Sequence, residues 1–227
     1  MEKNELKEKI VEKILNNEWE DHMFPLKKTL MYYKSAIVEI ESKFRVLDMQ
    51  FGINYDRNPI ESIKSRLKST EGIIRKLKKK GCPLTLESIE ENIWDVAGIR
   101  VICSFQDDIY FLSESLLRQD DIRLIKKKDY IKNPKPNGYR SLHLIVEVPI
   151  FLSNEKKWVK VEIQFRTIAM DFWASLEHKI RYKKELIKEN IEKINKELIE
   201  CAQMCSELDK KMQKVKDTSN IESLKIK

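Results

Sequence analysis

The segment YIKNPKPNGYRSLHLIVEVP, Tyr130–Pro149, followed shortly by WVKVEIQFRTIAMDFWASLEHK, Trp158–Lys179, decides the fold. Its first part is a basic loop, punctuated by Pro134, Pro136 and Gly138, that runs into an apolar strand expected over 141–148. Lys132, Lys135 and Arg140 flank Gly138 and Tyr139, so the loop offers cations to phosphates and an aromatic face to a base. The second part alternates. Val159, Val161, Ile163 and Phe165 point one way, and Lys160, Glu162, Gln164 and Arg166 the other. A strand with a carboxylate, an amide and two cations on its outer face suits the floor of a polar site. Alternation alone describes any half-solvated strand; the basic loop beside it favours the site.

Working outward, Val96–Ser104 reads as a buried strand and Ile122–Lys127 as another, with a helix over Asp108–Gln119 and a short one over Leu86–Asn92. Thr167–Tyr182 reads as a helix. Asn58-Pro59-Ile60-Glu61 has the form of a helix start, with Asn as cap and Pro at the first helical position. That helix is expected to run to Lys80 and stop at Gly81. A short amphipathic helix is expected over residues 1–16. Leu26, Leu30, Tyr33, Ile37, Ile40, Phe44 and Leu47 step by four and three, a heptad seam. Ile187, Ile191, Ile194, Leu198, Cys201, Cys205, Leu208, Met212 and Val215 form a second. The expected class is α+β, with helices flanking a sheet and long N- and C-terminal helices.

The chain has 227 residues, enough to bury one good core, and 36% of them are charged. Its net charge of +7 is concentrated. Lys64–Lys80 holds eight basic residues and one acid, and Arg123–Arg140 seven and one. Such clustering points to a polyanion, either nucleic acid or a nucleotide polyphosphate. Part of the Lys78–Lys80 run is explained by the dipole of a helix C-terminus. No apolar run is long enough to span a bilayer and the N-terminus lacks a signal peptide. The four cysteines show neither a C-x-x-C pair nor a zinc spacing. Reduced thiols and a cytoplasmic location are expected.

NGYRSLH, VEIQFRT and MDFWASLEHK, with SRLKSTEGIIRKLKKKG and DVAGIRVICSF upstream, resemble the motifs of the RelA/SpoT-type (p)ppGpp synthetase domain. They occur in order from about Asn58 to Lys183. Within that family the chain resembles the stand-alone small alarmone synthetases, and KGCPLT, ICSFQDDIY and the Tyr130–Pro149 stretch are closer to the RelP-like branch than the RelQ-like one. The resemblance implies a nucleotidyltransferase-like synthetase fold built on a mixed β-sheet of about five strands, divided into a helical extension over 1–50, a catalytic domain over 51–183 and a heptad helix and tail over 184–227, and it implies a GTP diphosphokinase. Such an enzyme moves the β,γ-pyrophosphate of ATP to the 3′-hydroxyl of GDP or GTP with Mg2+, as a homotetramer.

It also implies roles. Asp95 and Glu162 match the catalytic and metal-binding acids, with Glu162 as base for the 3′-hydroxyl or as metal ligand. Arg66, Lys68, Lys76, Lys78 and Arg100 fall to ATP, with Arg66 and Arg100 sandwiching the adenine. Lys135, Tyr139, Arg140, His143, Gln164, Arg166, Asp171 and His178 fall to GDP or GTP, with Tyr139 stacking the guanine and Asp171 at its edge. From the residues alone, Asp95 also reads as a cap, Glu162 as a surface carboxylate, Arg100 as the partner of Asp95, and His178 as a packing residue. Only three histidines and no His-Asp dipeptide are present, so synthesis without hydrolysis is expected. The rival readings are a nucleotidyltransferase with another substrate and a single-stranded RNA-binding module; no membrane partner is expected.

Overall fold

A computed structural model describes residues 18–54, 57–182 and 191–219. The helix expected over 1–16 lies outside the described residues, as does Ile187. The elements are α1 (Glu18–Asn54), β1 (Ile60–Leu67), α2 (Thr70–Lys80), α3 (Leu86–Asn92), β2 (Ala97–Cys103), α4 (Gln106–Leu117), β3 (Arg123–Asp129), β4 (Leu142–Phe151), β5 (Lys156–Thr167), α5 (Ile168–Tyr182) and α6 (Ile191–Thr218). The strands form one sheet in the order β1-β2-β5-β4-β3. β2 and β5 are parallel and every other pair is antiparallel. The mixed five-stranded sheet expected from the resemblance is present.

One element departs from expectation. Residues 60–67 are an edge strand paired with β2, not the first turns of a helix. Asn58 does cap, but its Oδ1 accepts from the Ile60 amide while its Nδ2 donates to Asp48 of α1. The helix starts instead at Ser69, whose Oγ accepts from the Gly72 amide. It ends at Gly81, whose φ of 67° closes the helix with bonds to the Leu77 and Lys78 carbonyls. Past a bulge between Ile60 and Ser62, the residues Ser62, Lys64 and Arg66 alternate with Ile63, Ser65 and Leu67, and ladder bonds to β2 outweigh a local helix signal.

The seam of α1 lies on the sheet. Tyr33, Ile37, Ile40, Phe44, Leu47 and Phe51 join Val101, Ile163 and Phe165 in one core, and the rings of Phe44 and Phe165 meet edge to face at 5.8 Å. α1 is therefore integral to the sheet's packing. The seam of α6 divides. Leu198 and Ala202 pack on Trp173 and Ala174 of α5. Ile191, Met204, Leu208, Met212 and Val215 stay exposed.

Candidate active site

Strand register assembles the site. Because β5 lies between β2 and β4, residues of matching parity share a face. One row across that face reads Arg66, Gly98, Glu162, Ile145 and Lys126; the next reads Lys64, Arg100, Gln164, His143 and Lys128. Arg166 follows on β5. A Cβ added to Gly98 would lie 3.3 Å from Cγ of Arg66, so the missing side chain lets Arg66 lie across β2.

The row is wired by hydrogen bonds. Gln164 Nε2 donates to Glu162 at 2.8 Å, and His143 Nδ1 stands 3.3 Å from the other Glu162 oxygen. Arg166 donates to Gln164 at 3.0 Å, to the Tyr139 hydroxyl at 2.9 Å and to Asp171 at 2.9 Å. The Tyr139 hydroxyl is 2.8 Å from His143 Nε2. Burial works to raise the Glu162 carboxyl, yet the bonds from His143 and Gln164 outweigh it and hold the group below its usual range. The cations of Lys135 and Arg166 lie 4.8 and 5.2 Å from the centre of the Tyr139 ring. Burial and the Lys128 charge push the Lys135 ammonium down.

Asp171, at the start of α5, is held by Arg166 and by Arg100 at 3.2 Å, with Lys64 at 3.5 Å. Arg100 therefore pairs with Asp171, where the sequence alone offered Asp95. Burial and the neighbouring Arg166 charge lower the Arg100 guanidinium. Arg66, Gly98, Arg100 and Gln164 line a cavity of about 120 Å3.

Asp95, in the turn before β2, is met by Lys68 at 2.9 Å and Lys76 at 2.7 Å. Burial would raise its carboxyl, but these two ammonium groups hold it below the usual range. Its charge acts on Glu162. Among the described residues no group of three or more His, Cys, Asp and Glu could hold a metal. Two carboxylates nevertheless fit Mg2+, which takes hard oxygen ligands, keeps several waters and needs only one or two protein carboxylates.

Not every expected residue enters the rows. Lys78 is exposed, about 200° around α2 from Lys76. His178 is exposed two turns along α5 from Asp171. Arg140 turns away, donating to the Ile131 carbonyl at 3.0 Å and facing Asp209 of α6. The sequence reading passed over Lys64, Lys126, Lys128 and Tyr130, whose ring lies 5.2 Å from that of His143. The missed signal was period two. Lys64 with Arg66, and Lys126 with Lys128, each share one strand face.

The family model described as "Region found in RelA / SpoT proteins" matches residues 65–186. Over 190 residues the chain is 49% identical to a GTP pyrophosphokinase, YwaC, of Bacillus subtilis (strain 168), spanning 84% of this chain and 90% of that protein. The fold matches the crystal structure of small alarmone synthetase 2 from Bacillus subtilis with a TM-score of 0.76 at 47% identity, covering 85% of this chain and 98% of the other. It matches small alarmone synthetase 1 of the same organism, bound to its product pppGpp, with a TM-score of 0.79 at 34% identity, covering 86% and 98%.

Proposed function

Since this chain belongs to the RelA/SpoT family, we propose that it transfers the β,γ-pyrophosphate of ATP to the ribose 3′-hydroxyl of GDP or GTP. The acceptor oxygen bonds to the β-phosphorus, the bond from that phosphorus to the α-phosphate oxygen breaks, and AMP leaves. The 3′-hydroxyl proton is lost, and the product is ppGpp or pppGpp. The protein is a GTP diphosphokinase, and the reading is synthesis without hydrolysis.

The observation that carries the residue roles is the wired row from Tyr139 through His143 and Gln164 to Glu162, with the Arg66–Arg100 cavity beside it. Such a transfer asks for positioning and cations on phosphate oxygens more than for covalent help. Arg66 and Arg100 border a cavity for a flat adenine, and Lys68 and Lys76, both paired with Asp95, supply charge for the donor phosphates. Tyr139 offers the guanine a ring whose hydroxyl is fixed from two sides. Lys135 and Lys128, next to His143, supply charge for the acceptor's 5′-phosphates. Asp171 remains the guanine-edge residue, presented by Arg166.

A divalent metal in such transfers neutralises charge on the phosphate oxygens, and we take it as Mg2+ held by Asp95 and Glu162. With its pKa depressed, Glu162 suits metal binding better than proton abstraction, since a general base works best with a pKa near the working pH.

Three further readings rest on the sequence. The chain falls to the RelP-like branch, it works in the cytoplasm, and it assembles as a homotetramer. Among the described residues no helix is long and apolar enough to cross a membrane. The exposed stripe of α6 gives the assembly an apolar surface to bury.

The test is one incubation with ATP, GDP or GTP, and Mg2+, resolved by chromatography. AMP and the alarmone should appear in equal amounts. ADP or inorganic pyrophosphate as the main product would overturn the assignment.

A further inference from the structure

The C-terminal helix touches the acceptor loop where that loop has no side chain. Gly138 adopts φ 88°, and a Cβ placed on it would stand 2.5 Å from Cβ of Ala202 and 3.8 Å from Cα of Ile199. No pair of real Cβ atoms approaches so closely, so the loop backbone lies directly on α6. Tyr139, the next residue, packs against the cluster of Trp173, Ala174, Leu198 and Ala202.

Both neighbours of Tyr139 are thus referred to α6. Gly138 rests on Ala202. Arg140 shares a small cavity with Ala202, Ser206 and Asp209, and its charge acts on Asp209. α6 in turn is fixed along its length. Its Leu198 carbonyl accepts from Trp173 Nε1 at 2.8 Å, and Asp209 accepts from Thr167 Oγ1 at 2.6 Å. Near its C-terminal end the fully buried Lys216 pairs with Asp107 at the start of α4. Asp108 beside it holds Arg57 through two bonds of 2.8 and 2.5 Å.

We propose that Ala202 is a positioning residue for the acceptor nucleotide: the seat of α6 on Gly138 sets the height of the Tyr139 ring and hence the affinity for GDP or GTP, with no part in holding ATP. This rests on the reading that Tyr139 stacks the guanine. Gly138 tolerates no side chain, because a Cβ there would collide with that of Ala202. α6 lies outside the matched family region of residues 65–186, so the coupling belongs to a part of the chain beyond the catalytic motifs.

The test uses the full chain with Ala202→Leu, Ala202→Gly and Tyr139→Ala, measuring KM for the acceptor and for ATP, and kcat. Leu drives a larger side chain into the loop. Gly loosens the helix but keeps the clearance. Ala202→Leu should raise the acceptor KM at least tenfold with the ATP KM within twofold, while Ala202→Gly stays within threefold for both. Equal changes for both nucleotides in Ala202→Leu, or a Gly variant as impaired as Leu, would overturn the coupling. An unchanged acceptor KM in Ala202→Leu would do the same.

Tyr139→Ala separates the two layers. If it leaves the acceptor KM intact, the stacking assignment fails, whatever Ala202 does. Should Ala202→Leu fail to fold, Trp173→Phe removes the bond to the Leu198 carbonyl while keeping most of the ring. Hydrogen exchange then reads the Gly138 amide, which bonds the Lys135 carbonyl at 2.8 Å, and the Lys135 amide, which bonds the Tyr139 carbonyl at 3.1 Å. Faster exchange at these two amides together with a raised acceptor KM supports the coupling. Unchanged exchange and KM overturn it.

Discussion

Replacing Glu162 with Gln should remove catalysis and leave the fold. Gln keeps the volume, and its amide can still pair with Gln164, 2.8 Å away, and with His143, 3.3 Å away. What it loses is charge. The Glu162 pKa lies below its ordinary value, so the wild-type group is a full carboxylate throughout the neutral range. A correctly placed acid–base group contributes roughly 10²–10⁴ in rate, or about 3–5 kcal/mol of barrier, and a carboxylate metal ligand should cost at least as much. The change should therefore lower kcat by about 10²–10⁴ at saturating substrates. The stability sign also follows. A carboxylate whose folded pKa is depressed contributes stability that is fully present above the unfolded value near 4.5 and lost as pH falls through the folded value. The Gln variant should match wild type less closely at pH 7 than at pH 3, where part of the wild-type advantage has gone. The assay is AMP formation followed by chromatography, with thermal melts at the two pH values. A kcat within tenfold of wild type would refute the role of Glu162.

Tyr139→Ala should weaken GDP or GTP binding by about 1–3 kcal/mol, the worth of a base–aromatic stack, and leave ATP analogue binding unchanged; calorimetry showing equal losses refutes the assignment. Tyr139→Phe should fall between wild type and Ala, because it keeps the ring but strips a hydroxyl partner from both His143 and Arg166. Asp95→Asn should abolish synthesis and lower Tm, since Lys68 and Lys76 lose their shared carboxylate; full activity would remove Asp95 from the site. A chelator should stop the wild type and added Mg2+ should restore it, and activity that survives metal removal would contradict the two-carboxylate reading. Leu208→Asp with Met212→Asp should reduce the assembly to smaller species while circular dichroism stays constant; a wild-type mass near the single-chain 27.1 kDa in light scattering would end the tetramer proposal.

The strands that the sequence shows by alternation or by a buried run were legible, and so were their consequences. Glu162, Gln164 and Arg166 were expected on one face of β5, and they stand there as neighbours in one network. β1 was misread because Asn58-Pro59 is a strong local signal, and because an edge strand with residues 64–67 all exposed has little hydrophobic pattern to announce it. That misreading hid Lys64, which only a period of two aligns with Arg66. The seam of α6 was read as one stripe, yet only its Ile194, Leu198 and Cys205 pack on α5. Leu198, Ala202, Ser206 and Lys216 are buried, a mixture of small and polar residues that a search for large apolar side chains passes over. Ile194 and Leu198 therefore make a poor test of assembly, because Leu198 already packs on Trp173 within the chain.

The site depends on register, and register depends on α1. The side-chain period of a strand is two, so a slip of one residue in β5 would turn Val161, Ile163 and Phe165 into the cleft and Glu162, Gln164 and Arg166 into the core. The polar face opposes this through its own pairs, the buried Arg166–Asp171 bridge among them. The apolar face prevents it. Phe165 is fully buried against Phe44, and Ile163, Val161 and Val101 lie under the same helix. Exposing even one such side chain costs about 1.5–3 kcal/mol, and a slip would expose three. The parallel pairing then carries the information sideways: Gly98 is fixed beside Glu162 and Arg100 beside Gln164. A helix packed on the apolar face of the sheet thus holds the register on which the proposed donor and acceptor sites both depend.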